Sequence, residues 1–546
     1  MIIPLFGLGN KSRSVTVSAQ RRINVYAELS ADADKTAMAF YGMPGLRLFT
    51  SFGDTPVRGM IAVGEFLYAI HRGTFYEVTN AGVATARGAI QSLTGRVRMA
   101  FNGIQIGIVD GVSMYSYNTN RTAATITSIT NVTTTATLKT STAHGRYTGE
   151  TITVSGATPA AYNGTFTVTV VDTTTLTYTM LSNPGAAASV VGAYVVASSF
   201  VKVTSGLFPN PFDITWQGHM FANAFQSSGF FQISAIDDGT TYDALDFASA
   251  ESEPDNLVRV IADHGELVLF GTDTIEFWAN NGDATFPYAN QRGSEVEYGL
   301  AAPWSLVKYN DSLAGLMKNV MGQVQVMMLQ GHAPTALNGN DLNFVNEING
   351  YATVSDATAF SYLLGGHPFL QMNFPTAGKS WCYDAAAGDW FELQSGLSGA
   401  RHRGEICVDF LNKPRVSDYE NGNIYIIDDT VYADNGIPRP YEITSRHVFS
   451  NLDIMRNASI QIDFEVGVGL INGQGSDPQA MLQISRDNGN TWGNEIWRPI
   501  GKIGEYLRRV IWRRLGAGYD FVFKVRVTDP VKFVVAAANL KNGNDQ

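Results

Sequence analysis

Apolar and polar residues alternate with a period of two through most of the chain, in short runs separated by Gly, Asn and Asp. That period puts successive side chains on opposite faces of an extended backbone, so the runs predict half-buried β-strands joined by tight turns. One repeating unit covers residues 58–70, the turn His71-Arg72-Gly73 and residues 74–78. The next, 97–117, turns at Asn102-Gly103 and Asp110-Gly111. Later units span 214–233, turning at Gln217-Gly218, and 258–278, turning at His264-Gly265, then 306–329, 360–393 and 405–427. About seven units, each too small to bury its own face, predict radially stacked sheets, as in a β-propeller.

Residues 122–198 break this rhythm: Thr, Val and Ala dominate and charge nearly vanishes. Such a composition fits a low-complexity stretch, yet the strand-like runs 136–140, 151–154, 164–168 and 175–179 are spaced by His144-Gly145, Gly156-Ala157 and Asn163-Gly164. Regular alternation with regular turns predicts an inserted antiparallel sandwich. The pattern pauses at Pro438-Arg439-Pro440 and resumes with longer strands at 459–468, 481–485, 508–514 and 521–527, a C-terminal β-rich domain. Helical periodicity is weak, its best stretch lying within 355–361, so the fold class is all-β with little helix.

With 546 residues, 45% apolar and 11% aromatic, the chain can bury large cores in more than one domain. The 54 glycines suit a turn-dense protein. Only 16% of residues are charged and the net charge is −11, the wrong sign for a protein that grips nucleic-acid phosphates over its whole surface. Two cysteines, Cys382 and Cys407, cannot staple a chain of this length and lack metal-ligand spacing. Residues 1–7 lack the basic start of a signal peptide and no apolar run reaches bilayer length, so neither secretion nor membrane insertion is expected.

The sharpest local motif is Ser485-Arg486-Asp487-Asn488-Gly489-Asn490-Thr491-Trp492, an Asp box of the form S-x-D-x-G-x-T-W, similar to the hairpin repeat of sialidases. Its parts have folding roles: Asp487 caps a tight turn, Gly489 supplies positive φ and Trp492 packs beneath the hairpin, with Ser485 and Thr491 completing the motif. A sialidase needs in addition a Tyr nucleophile, an acid and an arginine cluster on a propeller axis, and several boxes. The eight histidines are scattered, several beside glycine, without H-x-H or H-E-x-x-H spacing. Asp237-Asp238 and Asp428-Asp429 read as turn carboxylates rather than an acid/base pair. Gly7-Leu8-Gly9-Asn10-Lys11-Ser12 lacks the spacing of a phosphate loop. No catalytic residue, cofactor or metal is expected. The basic run Arg498, Lys502, Arg508, Arg509, Arg513 and Arg514 reads equally as a solvated strand face and as a contact with DNA or an acidic partner.

Three ordered segments resemble the packaged-DNA stabilisation proteins of short-tailed phages, also called tail hub or tail nozzle proteins. Asn24, Tyr26 and Glu28, followed by Pro44 and Gly45, look like that family's N-x-Y-x-E … G-x-P-G-L opening. Residues 267–278, with Glu276, resemble its central strand pair, and Arg513-Arg514 with Asp529-Pro530 its C-terminal segment. The inserted module, with Ala143-His144-Gly145 and residues 162–168, looks like the immunoglobulin-like additions common in virion proteins and departs from the family pattern. The domain organisation expected is an N-terminal extended segment and interface (1–56), a first propeller part (57–121), an Ig-like β-sandwich (122–198), the rest of the propeller (199–437) and a C-terminal β domain (438–546).

The resemblance implies a non-enzymatic virion tail protein made in the host cytoplasm. It implies a homohexameric ring that extends the DNA channel below the portal and adaptor, retains packaged DNA until ejection and anchors fibres or tailspikes. The implied partners are the adaptor ring, the fibre or spike, a tail needle or plug, and DNA passing without sequence-specific contact. The competing readings are a glycan-binding or glycan-cleaving receptor-binding tail protein, drawn from the Asp box and the blade-like repeats, and a bacterial surface adhesin, drawn from the Thr-rich module. The module itself is expected to point outward.

Overall fold

The computed structural model describes residues 5–29, 36–250, 255–338, 343–450 and 453–542. Of the opening residues discussed above, Met1 to Pro4 lie outside these. The chain divides into two compact units, Val57–Gly299 and the pair Met1–Pro56 with Leu300–Gln546.

The Val57–Gly299 unit holds four successive four-stranded antiparallel sheets. Val57–Val63, Phe66–His71, Thr74–Val78 and Ala84–Ala89 form the first. Arg98–Phe101, Gln105–Val109 and Met114–Asn118 form the second, completed by Phe200–Lys202 after the insertion. The third runs Pro211–Gln217, Met220–Phe225, Phe230–Ala235 and Asp238–Ser249; the fourth Leu257–Asp263, Glu266–Gly271, Ile275–Asn280 and Tyr288–Asn290. The first strands of successive sheets lie side by side, as the inner strands of propeller blades do. Charge ties three of them: Asp213 accepts a 2.6 Å hydrogen bond from Arg259 and lies 3.5 Å from Arg98. Apolar clusters such as Tyr68, Phe75, Ile106 and Tyr117 fill the space between sheets.

Two-residue turns explain two of the histidines beside glycine, His219 and His264. Gly218 and His219 have φ of 54° and 69°, His264 and Gly265 of 44° and 85°, the left-handed pairs that join twisted hairpin strands. These two imidazoles sit in solvent at turn tips.

The insertion comprises Ile126–Val132, Thr135–Thr140, Thr151–Ser155, Gly164–Asp172, Thr175–Thr179 and Ala193–Ser198. Gly164–Asp172 pairs first with Thr151–Ser155 and then with Thr175–Thr179, folding the sheet over its own core of Ile129, Leu138, Ile152, Tyr162, Leu176 and Tyr178.

In the other unit three more such sheets follow: Val307–Tyr309, Ser312–Lys318, Val324–Gln330 and Ala333–Ala336; Thr358–Leu364, His367–Phe374, Lys379–Asp384 and Asp389–Ser395; and Gly404–Asp409, Pro414–Asp418 and Asn423–Asp428 closed by Gly45–Ser51. The last sheet thus takes its outer strand from near the N-terminus. A two-sheet sandwich follows. Val25–Leu29, Met38–Gly42, Val534–Asn542, Met455–Phe464 and Val510–Gly518 form one sheet, and Tyr441–Thr444, Asp520–Val527, Gln479–Ser485 and Ile496–Pro499 form the facing one. Val25, Phe40, Ile460 and Trp512 of the first meet Tyr441, Leu482, Phe523 and Val525 of the second in a shared core.

The helix expectation needs correction. Residues 355–361 lead into the strand Thr358–Leu364, and the α-helix among the described residues is Asn343–Ile348. Its Phe344 and Ile348, four apart, share one face and are fully buried; Phe344 stacks on Trp390 with ring centroids 3.9 Å apart. Six residues are too few to carry a visible period, so packing on two tryptophans, not propensity, makes this turn helical.

Candidate functional site

The densest polar construction lies where the sandwich meets the sheet Thr358–Leu364 to Asp389–Ser395. The three-residue strand Arg21–Ile23 pairs in parallel with Asp389–Ser395 and antiparallel with Tyr441–Thr444, making one continuous sheet of propeller and sandwich strands. Arg21 grips Glu392 through two 2.6 Å hydrogen bonds. Arg22, fully buried, forms an ion pair with Asp389 and donates to the Trp390 carbonyl at 3.2 Å. Burial lowers its pKa despite Asp389.

Asn24 follows with φ 56°, a left-handed conformation that Asn tolerates better than branched residues. Its side-chain amide donates to the Gln394 and Pro440 carbonyls at 2.9 and 2.8 Å and accepts from the Gln394 N–H at 2.9 Å. Its carbonyl accepts from the Met43 N–H. The next carbonyls, those of Met43 and Pro44, receive the guanidinium of Arg439. Arg439 also bonds Asp434 at 3.1 Å, and Asp434 accepts from the Ser395 hydroxyl at 2.6 Å. Burial opposes the charge on Arg439, but Tyr441 and Asp434 outweigh it and raise its pKa. Gly45 passes so close to this turn that a Cβ would lie 2.4 Å from the Ala433 carbonyl oxygen. Asn24, Pro44 and Gly45 therefore meet around one buried arginine. Tyr26 stands beside them, stacked on Tyr41 and edge-on to Phe369.

The other motif residues lie elsewhere. Glu28 is exposed at the end of its strand. Glu276 is buried within its own blade, accepting from the Trp278 indole at 2.9 Å and the Asn290 amide at 2.8 Å. Arg513 and Arg514 are exposed on Val510–Gly518, where Arg514 has φ 61°. Asp529 caps the Gln479 N–H at 2.9 Å, with Pro530 following in the same turn. Arg22, Asp389, Asp434 and Arg439 were not singled out from sequence. The pause at Pro438-Arg439-Pro440 was the one signal, an arginine held between two rigid residues.

The Asp box forms the turn after Gln479–Ser485, in the sandwich. Asp487 accepts from the Thr491 N–H at 2.9 Å and its hydroxyl at 2.6 Å, and from the Ser485 hydroxyl at 2.7 Å. Those hydrogen bonds hold its pKa down to about 2. Asn488 and Gly489 have φ of 61° and 85°. Trp492 is half-buried, with the Lys524 ammonium 3.9 Å above its ring; burial lowers the Lys524 pKa. These side chains border a cavity of about 280 Å³ that also meets Lys11, Arg21, Trp381, Glu392 and Glu442. Within it Glu392 is engaged by both Arg21 hydrogen bonds. Among the described residues no group of three or more His, Cys, Asp or Glu side chains could hold a metal ion. Among the same residues no helix is long and apolar enough to cross a membrane. The arrangement is built to hold chain segments together.

Comparison with known proteins matches this architecture. A family model described as bacteriophage P22 Gp10, beta-propeller, matches residues 150–432, and a second, bacteriophage P22 Gp10, beta-sandwich, matches residues 440–543. The tail hub protein gp10 of Salmonella phage P22 is 25% identical over 294 residues, covering 51% of this chain and 58% of the relative, so the chain spans little more than half the length of that curated protein. Among solved structures, the phage phi92 endosialidase aligns with 61% of this chain and 63% of its own at 13% identity and TM-score 0.30. The Neurospora crassa Pan2 WD40 domain aligns with 70% of this chain and 95% of its own at 8% identity and TM-score 0.32. Likenesses that weak transfer neither fold detail nor chemistry. With the propeller model alone spanning more than half of its length and the sandwich model following in order, the chain belongs to the bacteriophage P22 Gp10 family of phage tail hub proteins.

Proposed function

We propose that this protein is the structural hub of a short phage tail: six copies close into a ring that extends the DNA channel below the portal and adaptor. The ring retains packaged DNA until ejection and anchors fibres or tailspikes on its outside. The observation that carries the reading is the family match over propeller and sandwich in order. The polar seam supports it mechanically. Arg21–Ile23 joins sandwich to propeller strands by backbone pairing and buried ion pairs, so load on one passes to the other without a flexible linker. The net charge of −11 suits a conduit, because each cation along a DNA path adds a salt-dependent contact that slows passage. The work is mechanical, with no chemical turnover.

The test is negative-stain imaging with a solution mass of the full chain, alone and mixed with purified portal and adaptor rings. A closed ring near six copies around an open channel, alone or seated on the adaptor, is the expected result. A monomer that ignores both rings at high concentration would overturn it.

A further inference from the structure

The basic run of the sandwich is not a uniform polar face. Between Lys502 and Arg508 the chain forms a tip that packs on the neighbouring loop, with the Gly504 N–H on the Gly467 carbonyl at 3.2 Å. The two loops raise large apolar side chains into solvent: Leu507 is 99% exposed, Ile471 86% and Tyr506 72%. Arg508 and Arg509 follow Leu507 directly, and they, like Arg513 and Arg514 on the strand that continues from them, are exposed. The strand that carries the last two, Val510–Gly518, ends its sheet, with arginine side chains on its carbonyls: Arg498 donates to Ile511 and Arg486 to Leu515. Arginines interleaved with aromatic and aliphatic side chains are the composition of a protein interface. Hydrated phosphates call for cations with small polar neighbours, and gain nothing from Leu507 or Ile471.

A surface of opposite character lies on the third propeller sheet. Its outer strand, Asp238–Ser249, is also an edge, and its register jumps so that residues 243–246 bulge out of the ladder. The bulge presents Asp243, Leu245 and Asp246, with Leu245 80% exposed and Phe247 and Phe230 beside it partly so. One patch is basic and apolar, the other acidic and apolar, and each borders the terminal strand of its sheet.

We infer that the basic tip and edge strand Val510–Gly518 of one copy dock on the acidic bulge of Asp238–Ser249 in a second copy of this chain. The occupant is argued from charge complementarity in a chain whose net charge is −11, and from two edges of matching apolar content. Because the two patches differ, the contact is heterologous: it does not end in a two-fold dimer, and repeated with a rotation that closes it gives a ring. The inference rests on the ring reading above and assigns the surfaces that would make it.

The experiment uses two full-length variants. The first, Arg508→Glu/Arg509→Glu/Arg513→Glu, has two acidic patches; the second, Asp243→Lys/Asp246→Lys, has two basic ones. Both are checked for native circular dichroism. Each alone should raise the concentration needed for ring assembly by about a hundredfold or more, since like charges face each other. Mixed in equal amounts they should again form rings, with the two chains alternating. Wild-type rings with unaffected single variants, or variants that fail alone and are not rescued by mixing, would sink the assignment and leave the hub reading standing. A wild type that never forms rings would sink both. Should a charge variant lose its fold, Leu507→Asp tests the same surface at a position that no packing constrains; an undiminished ring there would also refute the contact. The competing ligand is probed directly: a 30-base-pair DNA duplex bound by wild type and lost in the arginine variant, with rings unchanged, would assign the tip to DNA instead.

Discussion

Two sets of arginines do opposite work in this molecule. Arg22 and Arg439 are 2% and 1% exposed and face Asp389, Asp434 and main-chain carbonyls. Arg508, Arg509, Arg513 and Arg514 stand in solvent at a sheet edge. A buried guanidinium has lost its hydration, and its partners are complete only while it is present, so removing it strands a carboxylate in a dry site. An exposed one keeps its water in the folded and unfolded chain alike, and contributes little to folding. Buried arginines therefore report on how the fold is held, and exposed ones on what the fold meets.

The contrast is sharpest if one member of the buried set is removed. Arg439→Met leaves Asp434 uncompensated and the Met43 and Pro44 carbonyls without their donor, and should cost about 3–5 kcal/mol, read as a lowered urea midpoint. Unchanged stability would show that the network is dispensable. The same network sets a pH limit. Burial pushes His402 down to about 4, and its Nδ1 accepts from the Gln371 amide and the Gly404 N–H, which requires the neutral ring. Between about 6.5 and 4 the unfolded chain therefore binds a proton that the folded chain does not. Stability should fall as pH drops through that window, by up to about 3 kcal/mol for this group. Urea midpoints measured at pH 7 and 4.5 check this, and the drop should shrink in His402→Gln.

Asn24→Ala should cost about 2 kcal/mol, from the left-handed backbone and the lost carbonyl contacts; Asn24→Gly, which keeps the backbone, should cost less. A thermal melt of the pair separates the two contributions. At the small end, Arg508→Gln/Arg513→Gln should change folding stability by less than about 0.5 kcal/mol. A larger loss would mean that these arginines belong with the buried set, contrary to their exposure.

The repeat was legible because strand alternation and turn chemistry are local. His264-Gly265 and Asn102-Gly103 mark turns in sequence and hold positive φ at His264, Gly265 and Gly103 in the structure. The all-β class and the family both followed from such segments. Helix placement failed because Asn343–Ile348 is helical through Phe344 stacking on Trp390, a residue 46 positions later. The Asp box could be read as a turn, but neither the ammonium above Trp492 nor the cavity beside it has any sequence mark. Arg439 is the harder case: nothing near it in sequence names the Met43 and Pro44 carbonyls as its partners.

Sequence alone therefore determined what depends on neighbours along the chain: strands, turns, the break in composition at the insertion, and the overall charge. Tertiary structure alone decided which charges are buried, how Gly45–Ser51 closes the last blade, and that a three-residue strand welds sandwich to propeller strands. The physical reason is range. Backbone preference and alternation act over a few residues, whereas desolvation and ion pairing are set by groups brought together from hundreds of positions apart.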